Sequence, residues 1–181
     1  MLELSLHILD VVENALNAGA SLIEIELEKD TARDILRLKI SDNGSGIPKE
    51  MLSRVTDPFY TTRTTRRVGL GLSLLSQAAE QTGGSFKIDS VHGSGTKLVA
   101  EFGLSHIDRA PLGDMLGTLM SLIVGRPEVD IMYTQKIGSN EFVLDTREIK
   151  DELEGVSLSN PEVIKFLRKN LQEGLAELGS I

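Results

Sequence analysis

The stretch SLIEIELE, residues 21–28, alternates apolar and charged positions, and ILRLKIS, residues 35–41, repeats the pattern. Successive side chains on a strand project to opposite faces, so each stretch has one face to bury and one to leave in water. Ile23, Ile25 and Leu27 form one inner face, and Leu36, Leu38 and Ile40 form the other. A sheet built on such strands must be covered by helices on one face only. The expected fold is therefore an α+β two-layer sandwich with a mostly antiparallel sheet. In an antiparallel pair, the outward glutamates Glu24, Glu26 and Glu28 can meet Arg37 and Lys39.

The flanking segments supply the helices. Leu6, Leu9, Val12 and Leu16 recur at helical spacing over residues 4–18, and Gly19 is placed to end that helix. DNGSGIP, residues 42–48, is a turn-rich loop, and Pro48 suits the start of a short helix through Val55. A second long helix is expected from Gly71 to Thr82, stopping at Gly83 and Gly84. Strands at Ser85–Val91 and Thr96–Phe102 then flank HGSG. Beyond residue 103 the pattern predicts a helix at Ala110–Val124 and a hairpin of Val129–Lys136 with Asn140–Thr146. A last helix, capped by Asn160 with Pro161 at its first position, runs to about Leu178. The chain thus divides into residues 1–103 and a small α+β extension, 104–181, of helix, hairpin and helix. The extension holds 8 basic and 13 acidic residues, leaving it −5 of the net −8, and carries no motif with chemistry in it.

Composition narrows the function. A net charge of −8 disfavours sequence-independent nucleic-acid binding, which depends on Lys and Arg, and 4% aromatics disfavours base stacking. With no cysteine there is no disulfide framework, thiolate metal site or cysteine nucleophile, and the three histidines have no metal-ligand spacing. Neither a signal peptide nor a bilayer-spanning run is apparent, so the expectation is a cytoplasmic protein without a membrane partner.

Four stretches can carry chemistry. In DVVENALNAGA, Asp10, Glu13, Asn14 and Asn17 crowd one side of a helix, either as a solvated polar face or as a carboxylate and amide near a hydrated magnesium. Asp42-Asn-Gly-Ser-Gly46 is either an ordinary turn or a carboxylate at a strand end, able to accept from an exocyclic amine. In DPFYTTRTTRRVGLGLSLL, residues 57–75, Gly69 and Gly71 flank a helix start whose free N–H groups favour an anion. Thr61, Thr62 and Arg63 could add donors to the same anion. Gly93-Ser-Gly95-Thr96 reads alone as a two-residue hairpin turn.

In combination and order these stretches resemble the GHKL superfamily of ATP-binding domains over residues 1–103. That superfamily includes histidine kinases, type II topoisomerases, heat-shock chaperones, mismatch-repair ATPases and anti-sigma kinases. The resemblance implies the Bergerat fold: a mixed, mostly antiparallel sheet covered by helices on one face, with ATP bound under a lid. It further implies that Asn14 ligates Mg2+ and that Asp42 recognises the adenine amino group. By the same resemblance Gly44 and Gly46 shape the adenine wall, and Thr96 helps hold water near the base. Gly69, Leu70, Gly71 and Leu72 receive the phosphates, alongside Thr61, Thr62 and Arg63. Asp10 falls where the mismatch-repair, chaperone and anti-sigma members place a general-base glutamate, and is one methylene shorter. VENALNAGA is closer to the mismatch-repair ATPases, whereas the segment from Pro58 to Ser73 is closer to histidine kinases.

The resemblance implies a regulatory protein that binds Mg–ATP and passes a phosphoryl group to a partner protein. The chain starts almost at the first motif, so the expectation is a stand-alone protein. Alternatives are an ATPase switch, with homodimerisation among its outputs, and a non-catalytic interaction module of anti-sigma type.

Overall fold

Strand alternation decides the layering. The computed structural model describes residues 3–52, 71–179 and 181. In it, β1 (Leu22–Asp30) and β2 (Ile35–Asp42) pair antiparallel, with Glu26 opposite Lys39 and Glu28 opposite Arg37. The six inward apolar residues of these strands are at most 2% exposed. On the open face the Arg37 guanidinium bridges Glu28 at 2.8 Å and Glu101 at 2.9 Å, while Lys39 and Lys136 flank Glu26. Such half-exposed pairs fix register more than they add stability.

β3 (Ser85–Val91) and β4 (Gly95–Gly103) join antiparallel beyond β2. β5 (Asp130–Ile137) runs parallel to β1 on the other side, and β6 (Asn140–Asp145) closes a six-stranded mixed sheet in the order β3-β4-β2-β1-β5-β6. The inner face is covered by α1 (Leu4–Asn17), α3 (Gly71–Gln81), α4 (Met115–Gly125) and α6 (Pro161–Leu178). This is the expected α+β sandwich. Residues 104–181 extend the same sheet, and Tyr133, Leu144 and Leu167 sit in one apolar cluster with Ile8, Ile25 and Leu38. Backbone N–H groups of Leu4 and Ser5 donate to Pro111 and Leu112, tying the start of α1 to the segment before α4.

Two C-terminal elements differ from expectation. α4 starts at Met115 rather than Ala110, because Pro111 and the left-handed Gly113 (φ 79°) interrupt the backbone and Asp114 caps Gly117 at 2.7 Å. An extra helix, α5 (Thr146–Glu152), follows β6 directly. Its Asp145 cap accepts from the Arg147 N–H at 2.9 Å, but with a single large apolar residue, Ile149, its periodicity is too weak to read. Of the short helix expected at Pro48–Val55, the described part is α2 (Lys49–Leu52), and the rest lies outside the described residues.

His7 illustrates what core burial does to a polar group. It is 1% exposed on α1, and among the described residues its Nδ1 has no hydrogen-bond partner. Burial pushes its pKa down to about 4. The unfolded chain binds that proton near pH 6.5, so the folded state loses stability as the pH falls from 6.5 toward 4. Urea titrations at pH 7.5 and 4.5 should differ by about 2 kcal/mol more in the wild type than in His7→Leu. Equal pH dependence in the two proteins would contradict this assignment.

Candidate functional site

α1 crosses the sheet with its C-terminal half over β2 and β4, leaving a cavity of about 90 Å³ between them. Most of its wall is apolar: Val11 and Ala15 from α1, Ile40 from β2, Ile88 from β3, Leu98 from β4 and Leu72 from α3. Three polar side chains converge on it. Asn14 comes from α1, Asp42 from the end of β2 and Thr96 from the start of β4. Asp42 and Thr96 lie directly opposite in the β2–β4 ladder, which brings together residues more than fifty positions apart in the chain.

Asp42 is half-buried, and burial raises its carboxyl pKa above the usual carboxylate range. Backbone N–H groups of Gly44 and Thr96 pull in the opposite direction, the first at 2.8 Å from Asp42 Oδ1. A carboxylate held at the edge of an apolar slot can accept from an exocyclic amine on a flat ring.

Gly46 lines the cavity and Gly44 does not, but both let the loop after β2 pack tightly against its neighbours. A Cβ on Gly44 would stand 2.9 Å from Asp42 Oδ1 and 3.0 Å from Ala18, and one on Gly46 would meet the Val91 carbonyl oxygen. The hairpin turn at His92–Ser94 has three residues rather than the expected two, with Val91 paired to Gly95 and the Ser94 N–H donating to Val91 at 2.9 Å.

Asp10 does not line the cavity. It stands one helical turn before Asn14, beside the first residue of α3, where a Cβ on Gly71 would be 3.0 Å from Asp10 Cβ and 3.1 Å from its Oδ2. Gly71 and Leu72 open α3, and Leu72 reaches the cavity wall. Thr61, Thr62, Arg63, Gly69 and Leu70 lie outside the described residues.

Among the described residues no group of three or more His, Cys, Asp or Glu could hold a metal by itself. One amide oxygen from Asn14 suits Mg2+, which keeps several waters and takes its remaining ligands from substrate phosphates.

Two supporting residues have no sequence signature. Asn43 Oδ1 accepts from the backbone N–H groups of Ser21 and Leu22, both at 2.9 Å, fastening the loop after β2 to the start of β1. Ser90 Oγ accepts from the Ile47 N–H at 2.7 Å and joins the same loop to the β3–β4 hairpin. Both sit in contexts where a turn residue or a strand residue is unremarkable, and only the tertiary partners give them a role.

Comparison with known proteins agrees with this arrangement. A family model described as "Histidine kinase-, DNA gyrase B-, and HSP90-like ATPase" matches residues 2–106. A Shewanella frigidimarina protein named as a sensor protein is 34% identical over 103 residues, 56% of this chain and 16% of that protein. The sensor histidine kinase ZraS of Salmonella typhimurium is 32% identical over 89 residues, 49% of this chain and 19% of that one. The chain therefore spans less than a fifth of the length of these relatives. Among solved structures, the N-terminal domain of a DNA repair protein shares the fold at TM-score 0.60 and 15% identity, covering 80% of this chain and 53% of that one. That share of this chain exceeds what residues 1–103 could supply alone, so the shared fold extends into the C-terminal strands and helices.

Proposed function

The chain belongs to the family of histidine kinase-, DNA gyrase B- and HSP90-like ATPases, and from that premise we propose that it binds Mg–ATP in the α1–sheet cavity and passes the γ-phosphoryl group to a partner protein. The observation that carries this reading is the convergence of Asn14, Asp42 and Thr96 on one apolar-walled cavity. The adenine ring slides between α1 and the sheet, with its amino group donating to Asp42 and its flat face against Gly44 and Gly46. Asn14 would hold Mg2+, which would supply charge neutralisation for the phosphates. The N-terminal N–H groups of α3, at Gly71 and Leu72, face the phosphates, where a helix end favours an anion. Thr61, Thr62, Arg63, Gly69 and Leu70 complete the phosphate donors in this reading.

Phosphoryl transfer depends chiefly on positioning and charge neutralisation, which suits a site with few titratable groups. The likeness to the sensor histidine kinase ZraS supports the transfer reading. Incubation with γ-labelled ATP and candidate partner proteins tests it. A labelled partner is expected; proven ATP binding with no labelled protein would remove the transfer step.

One observation favours hydrolysis as the second reading. Asp10 stands beside the start of α3, the helix end to which this reading assigns the phosphates. A carboxylate there can orient water, a contribution worth roughly 100-fold or more in rate. Asp10→Asn should then lower turnover about 100-fold while leaving ATP affinity within about threefold of wild type. Unchanged turnover would show that Asp10 is not the base.

A further inference from the structure

Ser90 does more than close a hairpin. It lies on the helix-covered face of β3, directly opposite Thr96, and its Oγ sits at the centre of three contacts. The Ile47 N–H is 2.7 Å away, the Gly95 carbonyl oxygen 2.9 Å and Thr96 Oγ1 2.9 Å.

A serine hydroxyl has one hydrogen to donate and two lone pairs to accept with. Ile47 offers only an N–H, so it takes one lone pair. Gly95 offers only a carbonyl oxygen, so it takes the hydrogen. The remaining contact is then satisfied when Thr96 donates its own hydrogen to the second lone pair. The opposite assignment, with Ser90 donating to Thr96, leaves two oxygen acceptors facing each other at 2.9 Å in a half-buried site, which is costly.

The consequence falls on Thr96. With its hydrogen committed to Ser90, its hydroxyl offers only lone pairs to the cavity that it lines. Asp42, directly across the ladder from Thr96, also offers only acceptors when ionised. Two adjacent acceptors, acting directly or through a water that relays the hydrogen, call for a ligand edge that brings hydrogens.

We propose that Ser90 is a positioning residue that fixes the hydroxyl polarity of Thr96 and thereby makes the site select a purine with an amino rather than an oxo group at its 6-position. The inference rests on the reading that a purine nucleotide occupies this cavity.

Removing the Ser90 hydroxyl frees Thr96 to rotate and donate, so the penalty against an oxo group falls. The probes are ATP and inosine triphosphate, which carry the amino and the oxo group on the same purine frame. Dissociation constants are measured for the wild type, Ser90→Ala and Ser90→Thr, with the Tm of each. Wild type is expected to prefer ATP. Ser90→Ala should lower the ATP-to-inosine-triphosphate preference at least about tenfold, and Ser90→Thr, which retains the hydroxyl, should restore it. A purely structural role would weaken both nucleotides in proportion and lower the Tm, and an unchanged preference overturns the proposal. If Ser90→Ala does not fold, Ser90→Cys, a poor hydrogen-bonding group of similar shape, takes its place. An intermediate preference supports the assignment and a wild-type preference overturns it. Wild-type protein that binds neither nucleotide would instead overturn the occupancy of the cavity, and this role of Ser90 with it.

Discussion

Asp42→Asn is expected to weaken ATP binding about 100-fold while leaving the fold intact. The two side chains have nearly the same shape, and an amide oxygen can still accept from the Gly44 N–H that now bonds Oδ1 at 2.8 Å. What changes is the edge facing the cavity. A carboxylate accepts on both oxygens, whereas the amide brings an NH2 group against the adenine amine. Losing a hydrogen bond to a charged acceptor costs about 1.5–3 kcal/mol, and the mismatch adds to that. The stability effect runs the other way. Burial raises the Asp42 pKa above its unfolded value, so the folded state binds the proton more readily and loses stability as the pH rises through that range. At neutral pH the ionised Asp42 is a cost to the fold, and the Asp42→Asn variant should melt at or slightly above the wild-type Tm. Calorimetric titration with Mg–ATP and a melting curve read both effects. Wild-type affinity in the variant would remove Asp42 from base recognition.

Gly95→Ala is the substitution expected to damage the fold most. Gly95 has φ 116°, a region that L side chains rarely adopt, and an added Cβ would overlap the Asp42 carbonyl oxygen. That neighbour is backbone and cannot rotate aside, so β2 and β4 must separate where Asp42 meets Thr96. Strain at such a φ costs about 1–3 kcal/mol before any displacement is counted. A total loss of about 3 kcal/mol or more corresponds to a Tm lowered by roughly 10 °C in a chain of this size. ATP binding should disappear with it. Gly93→Ala provides the control. Gly93 is also left-handed, at φ 82°, but its Cβ would meet nothing within 4 Å. That variant should lose only about 1 kcal/mol and keep its ATP affinity. Equal stability of the two variants would show that the close approach of Gly95 to Asp42 is not what holds this corner.

The contrast between these glycines bears on what a sequence makes legible. The inner and outer faces of β1 and β2 were readable because strand alternation is local, and the paired charges Glu26–Lys39 and Glu28–Arg37 followed from it. The GHKL resemblance was readable because each motif is a short run and their order along the chain is informative. Asn14, Asp42, Gly46, Leu72 and Thr96 do gather at one cavity. Asp10 shares Asn14's side of α1 but lies one turn nearer the helix N-terminus, beside the start of α3 and outside the lining.

Features that depend on distant partners were not legible. The parallel pairing of β1 with β5 joins segments about a hundred residues apart, and nothing local announces it. Asn43 and Ser90 look like an ordinary turn residue and an ordinary strand residue until Ser21, Leu22, Ile47 and Thr96 are brought to them. α5 was missed because its signal is a cap, Asp145, rather than an apolar stripe.

The central claim is that adenine sits between α1 and the sheet with its amino group at Asp42. Backbone amide NMR of the whole chain, titrated with Mg–ATP, tests it most directly. The account predicts saturable shifts clustered at Asn14, Gly44, Gly46, Ile47 and Thr96, with little change along β6 and α6. Absence of saturable shifts at millimolar ATP, or a cluster confined to residues 104–181, would contradict it.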